Sequence, residues 1–120
     1  MDILFSKERE KELANDGAKL RRAFRGNQRR PKLIRARLDE LADADDLQIM
    51  WSIPQSGFHN LVGNRKGQFA VKLDKGYRMT LEPANDPLPL KPDGGLDLEL
   101  ITAIRILKLA EDYHVRKSRK

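Results

Sequence analysis

The chain has 120 residues, of which 35% are charged and 39% apolar, and its formal net charge is +6. That length fits one domain, 1–120, with a modest core and little room for a large internal cofactor. Without cysteine there is no disulfide framework, thiolate nucleophile or cysteine-based zinc site, and no apolar run approaches membrane-spanning length; a soluble cytoplasmic domain with an anionic partner is expected.

Ile3, Leu4 and Phe5 read as a short edge strand, and Ser6 as the N-cap of a helix whose first turn carries Glu8. Leu13, Gly17, Leu20 and Phe24 fall at helical spacing, with Gly17 bending or interrupting the helix. Gly26 and Asn27 break the chain, and Pro31 is tolerated only in a first turn. The next helix is therefore set at 30–42, with Leu33, Ile34, Leu38 and Leu41 as its buried stripe. Between 17 and 38 there are nine cations and no acid, among them Arg22, Arg25, Arg29 and Arg30, so the outer faces of these helices are the expected docking surface. The sign then reverses with Asp39, Glu40, Asp43, Asp45 and Asp46, and returns to basic at 116–120.

From Trp51 onward, alternation replaces helical spacing. Phe69, Val71 and Leu73 share one face of a strand, Asp74, Lys75 and Gly76 make a tight turn, and Tyr77, Met79 and Leu81 continue the alternation on the return strand. That hairpin sets Arg78 on the polar face with Thr80 and Glu82, towards solvent or a ligand. Residues 82–95, rich in Pro, Gly and Asp, read as a long and weakly constrained loop. Residues 98–110, apolar on both parities and rich in β-branched side chains, read as a central strand.

Only two histidines are present, His59 before the hairpin and His114 after the last strand, the latter beside Asp112 and Tyr113. Arg65 and Lys66 lie in a glycine-bracketed basic turn suited to a phosphate, although the P-loop Gly-Lys-Ser/Thr element is missing. Metal-free RNA cleavage needs a base for the 2′-OH, charge stabilisation at phosphorus and an acid for the leaving oxygen; histidine, tyrosine and arginine supply all three. Two separated histidines make a poor metal site, and no Gly-x-Ser-x-Gly elbow is present.

The runs His59-Asn60-Leu61-Val62-Gly63-Asn64-Arg65-Lys66-Gly67, Tyr77-Arg78-Met79-Thr80-Leu81 and Asp112-Tyr113-His114 resemble HigB-type toxins of the RelE/ParE superfamily. The resemblance implies a RelE-like α+β domain, N-terminal helices packed on a small antiparallel sheet. It implies a ribosome-dependent, metal-independent mRNA endoribonuclease with no cofactor, silenced by a helix-turn-helix (HigA-like) antitoxin. At matching positions His59 and His114 would serve as base and acid in either order, Arg78 would stabilise the scissile phosphate, Tyr113 would stack or move a proton, and Asp112 would position its neighbours. A ParE-like gyrase inhibitor and a non-catalytic basic RNA-binding or interaction protein are the alternatives. The insertion at 83–95 departs from the family pattern and would obstruct cleavage if it covered His59 or Arg78.

Overall fold

A computed structural model of the chain describes residues 1–113. Its elements run β1 (Asp2–Phe5), α1 (Glu8–Asn15), α2 (Gly17–Ala23), α3 (Arg29–Asp43), β2 (His59–Asn60), β3 (Phe69–Lys72), β4 (Tyr77–Pro83) and β5 (Ala103–Asp112). This is the α+β order expected. The five strands form one sheet in the order β1-β5-β4-β3-β2. Pairing is antiparallel from β5 through to β2, but β1 runs parallel to β5, with Ile3 opposite Ile104 and Phe5 opposite Ile106. The wholly antiparallel sheet expected from the sequence is thus corrected to a mixed one. β1 and β5 come from distant parts of the chain, and no hairpin between them imposes an antiparallel direction.

The interruption in the first helical segment falls at Asp16, one residue before Gly17. Asp16 is extended, and its carboxylate accepts from the backbone N–H groups of Ala18 and Lys19 at 3.0 and 3.2 Å, starting α2 as a separate helix. α3 begins two residues after Asn27, whose side-chain oxygen accepts from the Arg30 N–H at 3.1 Å, and Pro31 sits in the first turn, where its missing N–H costs nothing. Ile34, Leu38 and Leu41 point inward from α3 and meet Leu13 and Leu20 from the earlier helices. The sheet supplies Phe69, Val71, Met79, Leu81, Ile104 and Ile106 to the same core.

Ser6 is not the N-cap of α1. Its hydroxyl donates instead to the Leu107 carbonyl at 3.2 Å, and Glu10 accepts from the Leu109 N–H at 2.7 Å. Both partners lie where β5 carries extra residues. β4 and β5 pair Arg78 with Glu111, Thr80 with Lys108 and Leu81 with Ile106, so the register slips twice along β5. Ser6 and Glu10 bond backbone groups at these irregularities. The slips also explain why Ile104 and Ile106, then Leu109 on the other parity, are all buried. β5 starts at Ala103 rather than 98, because Leu98–Leu100 form a 3-10 turn.

The hairpin turn is as read from the sequence, with Tyr77 N–H bonded to the Asp74 carbonyl at 2.9 Å and both Lys75 and Gly76 at positive φ. The connection from β4 to β5 is better tied than its composition suggests. Asn85 Oδ1 accepts from the N–H groups of Thr102 and Ala103, and Leu90 bridges to Leu96. Among the described residues no helix is long and apolar enough to cross a membrane.

Candidate functional site

Helices cover the sheet face that bears Phe69, Val71 and Leu81; the other face carries the polar side chains. Because β4 and β5 are in register at their far end, Arg78 lies directly opposite Glu111 on that second face. Arg78 donates to Glu111 Oε2 through Nε at 3.1 Å and Nη2 at 2.8 Å. Arg65 donates to the same oxygen through Nη1 at 2.7 Å, while its Nε bonds Gln68 Oε1 at 2.9 Å. Two guanidinium groups from different elements therefore converge on one carboxylate oxygen. For Arg65 to reach β5 from the turn between β2 and β3, that turn must lean across β3 and β4, which stand about 5 Å apart. Ala70 and Thr80, on this face, are accordingly fully buried.

The three side chains are 25% (Arg65), 13% (Arg78) and 14% (Glu111) exposed. Burial acts to raise the Glu111 pKa, but the hydrogen bonds and charges of Arg65 and Arg78 outweigh it and hold the carboxyl below its usual range. The cluster carries one net positive charge, and the exposed Lys72 and Lys108 lie on the same face by register. The Arg78 guanidinium also lies 4.6 Å from the centre of the Tyr113 ring.

His59 pairs with Ala70, which pairs with Thr80, so His59 shares the face of Arg78 from the edge strand β2. It is exposed, and its Nδ1 lies 2.9 Å from the Gly57 carbonyl oxygen. A carbonyl only accepts, so in the neutral ring Nδ1 carries the proton and Nε2 presents its lone pair. The backbones of β2 and β4 are about 10 Å apart.

Asp112 is not brought to this cluster. It stands opposite Tyr77, so strand alternation directs it to the face away from Arg78 and Glu111. His114 lies outside the described residues. Lys66 is exposed on the basic turn next to Arg65. Of the helical cations singled out from the sequence, Arg22, Arg25 and Arg29 are exposed. Arg30 is not, and it is no docking residue in this fold: it is buried, bonded to Asp74 at 2.9 Å and stacked 3.7 Å from the Tyr77 ring centre. Glu111 is the member that sequence reading missed. Its position opposite Arg78 depends on the two slips along β5, and nothing in a single sequence marks them.

The inserted connection has hydrogen bonds of its own to the start of β5, through Asn85 to Thr102 and Ala103. With the turn after β2 it walls a cavity of ≈ 830 Å³ lined by residues such as Leu61, Lys66, Leu90 and Leu96, and neither His59 nor Arg78 is part of that lining. Among the described residues no three histidines or carboxylates group as a metal-ligand set. Comparisons with protein-family models, with curated proteins and with solved structures found no match to the chain.

Proposed function

We propose that the chain is a RelE-like, HigB-type toxin that cuts mRNA on the ribosome without a metal or other cofactor, and that a helix-turn-helix antitoxin silences it in the cytoplasm. The observation that carries this reading is the convergence of Arg65 and Arg78 on a cationic sheet face that also bears the exposed His59. A phosphodiester drawn to that face exchanges hydrogen bonds with the two guanidinium groups, whose charge matches what develops on the phosphorane-like transition state. His59 Nε2 takes the 2′-OH proton, the role its Nδ1 contact with Gly57 prepares. Tyr113, held against Arg78, offers a ring for a flanking base, and His114 is left to protonate the departing 5′-oxygen. Lys66 attracts the flanking phosphates. Arg22, Arg25 and Arg29, on the helical layer, attract those of ribosomal RNA rather than the scissile one.

The test is cleavage of a defined mRNA on purified ribosomes, with growth arrest on induction as the cellular readout. Arg78→Ala should slow cleavage by about 10²–10³, the usual loss for one transition-state donor. His59→Ala should slow it by about 10²–10⁴, the range for a general base. Full toxicity of a His59→Ala, His114→Ala double variant would sink the histidine mechanism. DNA damage signalling with intact mRNA would point to gyrase instead.

A further inference from the structure

On the helical layer, α2 and α3 enclose a cleft of ≈ 540 Å³ that no step of the proposed cleavage uses. Its floor is formed by Leu20, Phe24 and Pro31, and cations stand on both sides: Arg21 and Arg25 from the α2 side, Lys32 and Arg35 from α3. No acidic residue lines it. Arg35 is partly used within the fold, donating to the Ala14 carbonyl and lying 3.9 Å from Asp39. Arg21, Arg25 and Lys32 are exposed and enter no ion pair among the described residues. The cleft therefore has an apolar floor with cations on both sides, of which Arg21, Arg25 and Lys32 have no acidic partner among the described residues.

We propose that this cleft docks an acidic, amphipathic helical segment of a partner protein. Such a helix seats apolar side chains one turn apart on the floor and sets glutamates or aspartates from its flanks against Arg21 and Lys32. A nucleic acid matches the cations but not the floor. Leu20 and Pro31 offer neither a stacking plane nor a hydrogen bond, and Phe24, the one aromatic ring, has the Arg30 guanidinium 5.8 Å from its centre. The cleft also lies on the layer opposite the Arg65 and Arg78 face, so a helix seated in it leaves that face open. The inference stands whether or not the chain cuts RNA.

The probe is a fluorescent synthetic helix of about 18 residues, long enough to hold its fold when bound, with leucines along one stripe and glutamates on both flanks. Two controls accompany it: the same peptide with its stripe leucines changed to alanine, and a 2′-O-methyl oligoribonucleotide that cannot be cleaved. Binding is read by fluorescence anisotropy against the wild-type chain and an Arg21→Glu, Lys32→Glu variant. Both positions are exposed, and circular dichroism checks that the variant folds. The double reversal should weaken the leucine peptide by about tenfold or more while weakening the oligoribonucleotide far less, and the alanine peptide should bind the wild type at least about tenfold more weakly. The proposal is overturned if the leucine peptide does not bind, if the alanine peptide binds equally well, or if the oligoribonucleotide loses as much affinity as the peptide. The last result would make the cleft an RNA surface.

Discussion

Adjacent arginines at the start of α3 face opposite fates, and replacing each by alanine separates a docking cation from a structural one. Arg30 and Asp74 are joined at 2.9 Å with side chains only 11% and 6% exposed, and Asn27 gives Asp74 a second hydrogen bond at 2.9 Å. Removing one member of a buried pair costs about 3–5 kcal/mol, because the other charge is left in a site built for two. Asp74 keeps Asn27 and can take up a proton, so Arg30→Ala belongs near the lower end, ~3 kcal/mol. Loss of the cation 3.7 Å from the Tyr77 ring centre brings the total to at most about 4 kcal/mol. At about 4 °C per kcal/mol for a domain of this size, thermal unfolding followed by circular dichroism should show a fall of about 12–16 °C. Arg29→Ala, on the exposed side, should cost no more than about 0.5 kcal/mol. Arg30→Ala and Arg29→Ala variants melting within about 3 °C of one another, a gap worth under ~1 kcal/mol, would refute the reasoning. An Arg30→Ala, Asp74→Ala double variant should recover part of the loss, since it leaves no orphaned charge.

Acid should destabilise the protein through the same pair. Burial acts to raise the Asp74 pKa, but Arg30 and Asn27 outweigh it and depress the carboxyl, as Arg65 and Arg78 do for Glu111. Groups with depressed folded pKa contribute fully above their unfolded values, about 4, and lose that contribution as pH falls towards the folded values. Urea unfolding at stepped pH should thus give a decline in stability below about pH 5 that is shallower in Asp74→Asn; parallel curves for the two proteins would count against the assignment. Thr80 is fully buried, and its hydroxyl has no partner among the described residues. Thr80→Val, the same shape without the polar group, should leave stability unchanged or raise it by up to ~1 kcal/mol. A loss larger than that in chemical denaturation would mean the hydroxyl is bonded.

The fold was legible where local chemistry dictates it. Pro31 and the Ile34, Leu38, Leu41 spacing set α3 within a residue at each end, 29–43 against 30–42, and Asp74, Lys75 and Gly76 marked the hairpin turn. Legibility stopped where a residue's role depends on a distant partner. Ser6 has the chemistry of an N-cap, yet the Leu107 carbonyl, 101 positions away, claims its hydroxyl. The nine-cation run from 17 to 38 reads as one solvated face, but Arg30 and Arg37 point inward, Arg37 donating to the Lys72 carbonyl at 2.8 Å. Both stand at helical spacing from Ile34, on the buried side of α3, whereas their charge argued for the surface. Asp74, Glu40 and the Lys72 carbonyl resolved the conflict in favour of burial.

The site divides along the same line. Arg78 and Arg65 lie on the sheet face that the hairpin parity and the basic turn indicated, but Arg78 is only 13% exposed there and neither stands as an isolated cation. Both are oriented by Glu111, a residue adjacent to the Asp112 that motif reading favoured. Strand alternation makes that one-residue difference decisive, since it places Glu111 beside Arg78 and Asp112 beside Tyr77. Had β5 been regular from Ile106 onward, Arg78 would face residue 109, where the chain has Leu, and the arginine pair would have no common carboxylate. The irregularities bonded by Ser6 and Glu10 are therefore part of how the candidate site is built. An N-terminal segment that makes no contact with RNA in the proposed chemistry helps set the register on which the Arg65 and Arg78 fork depends.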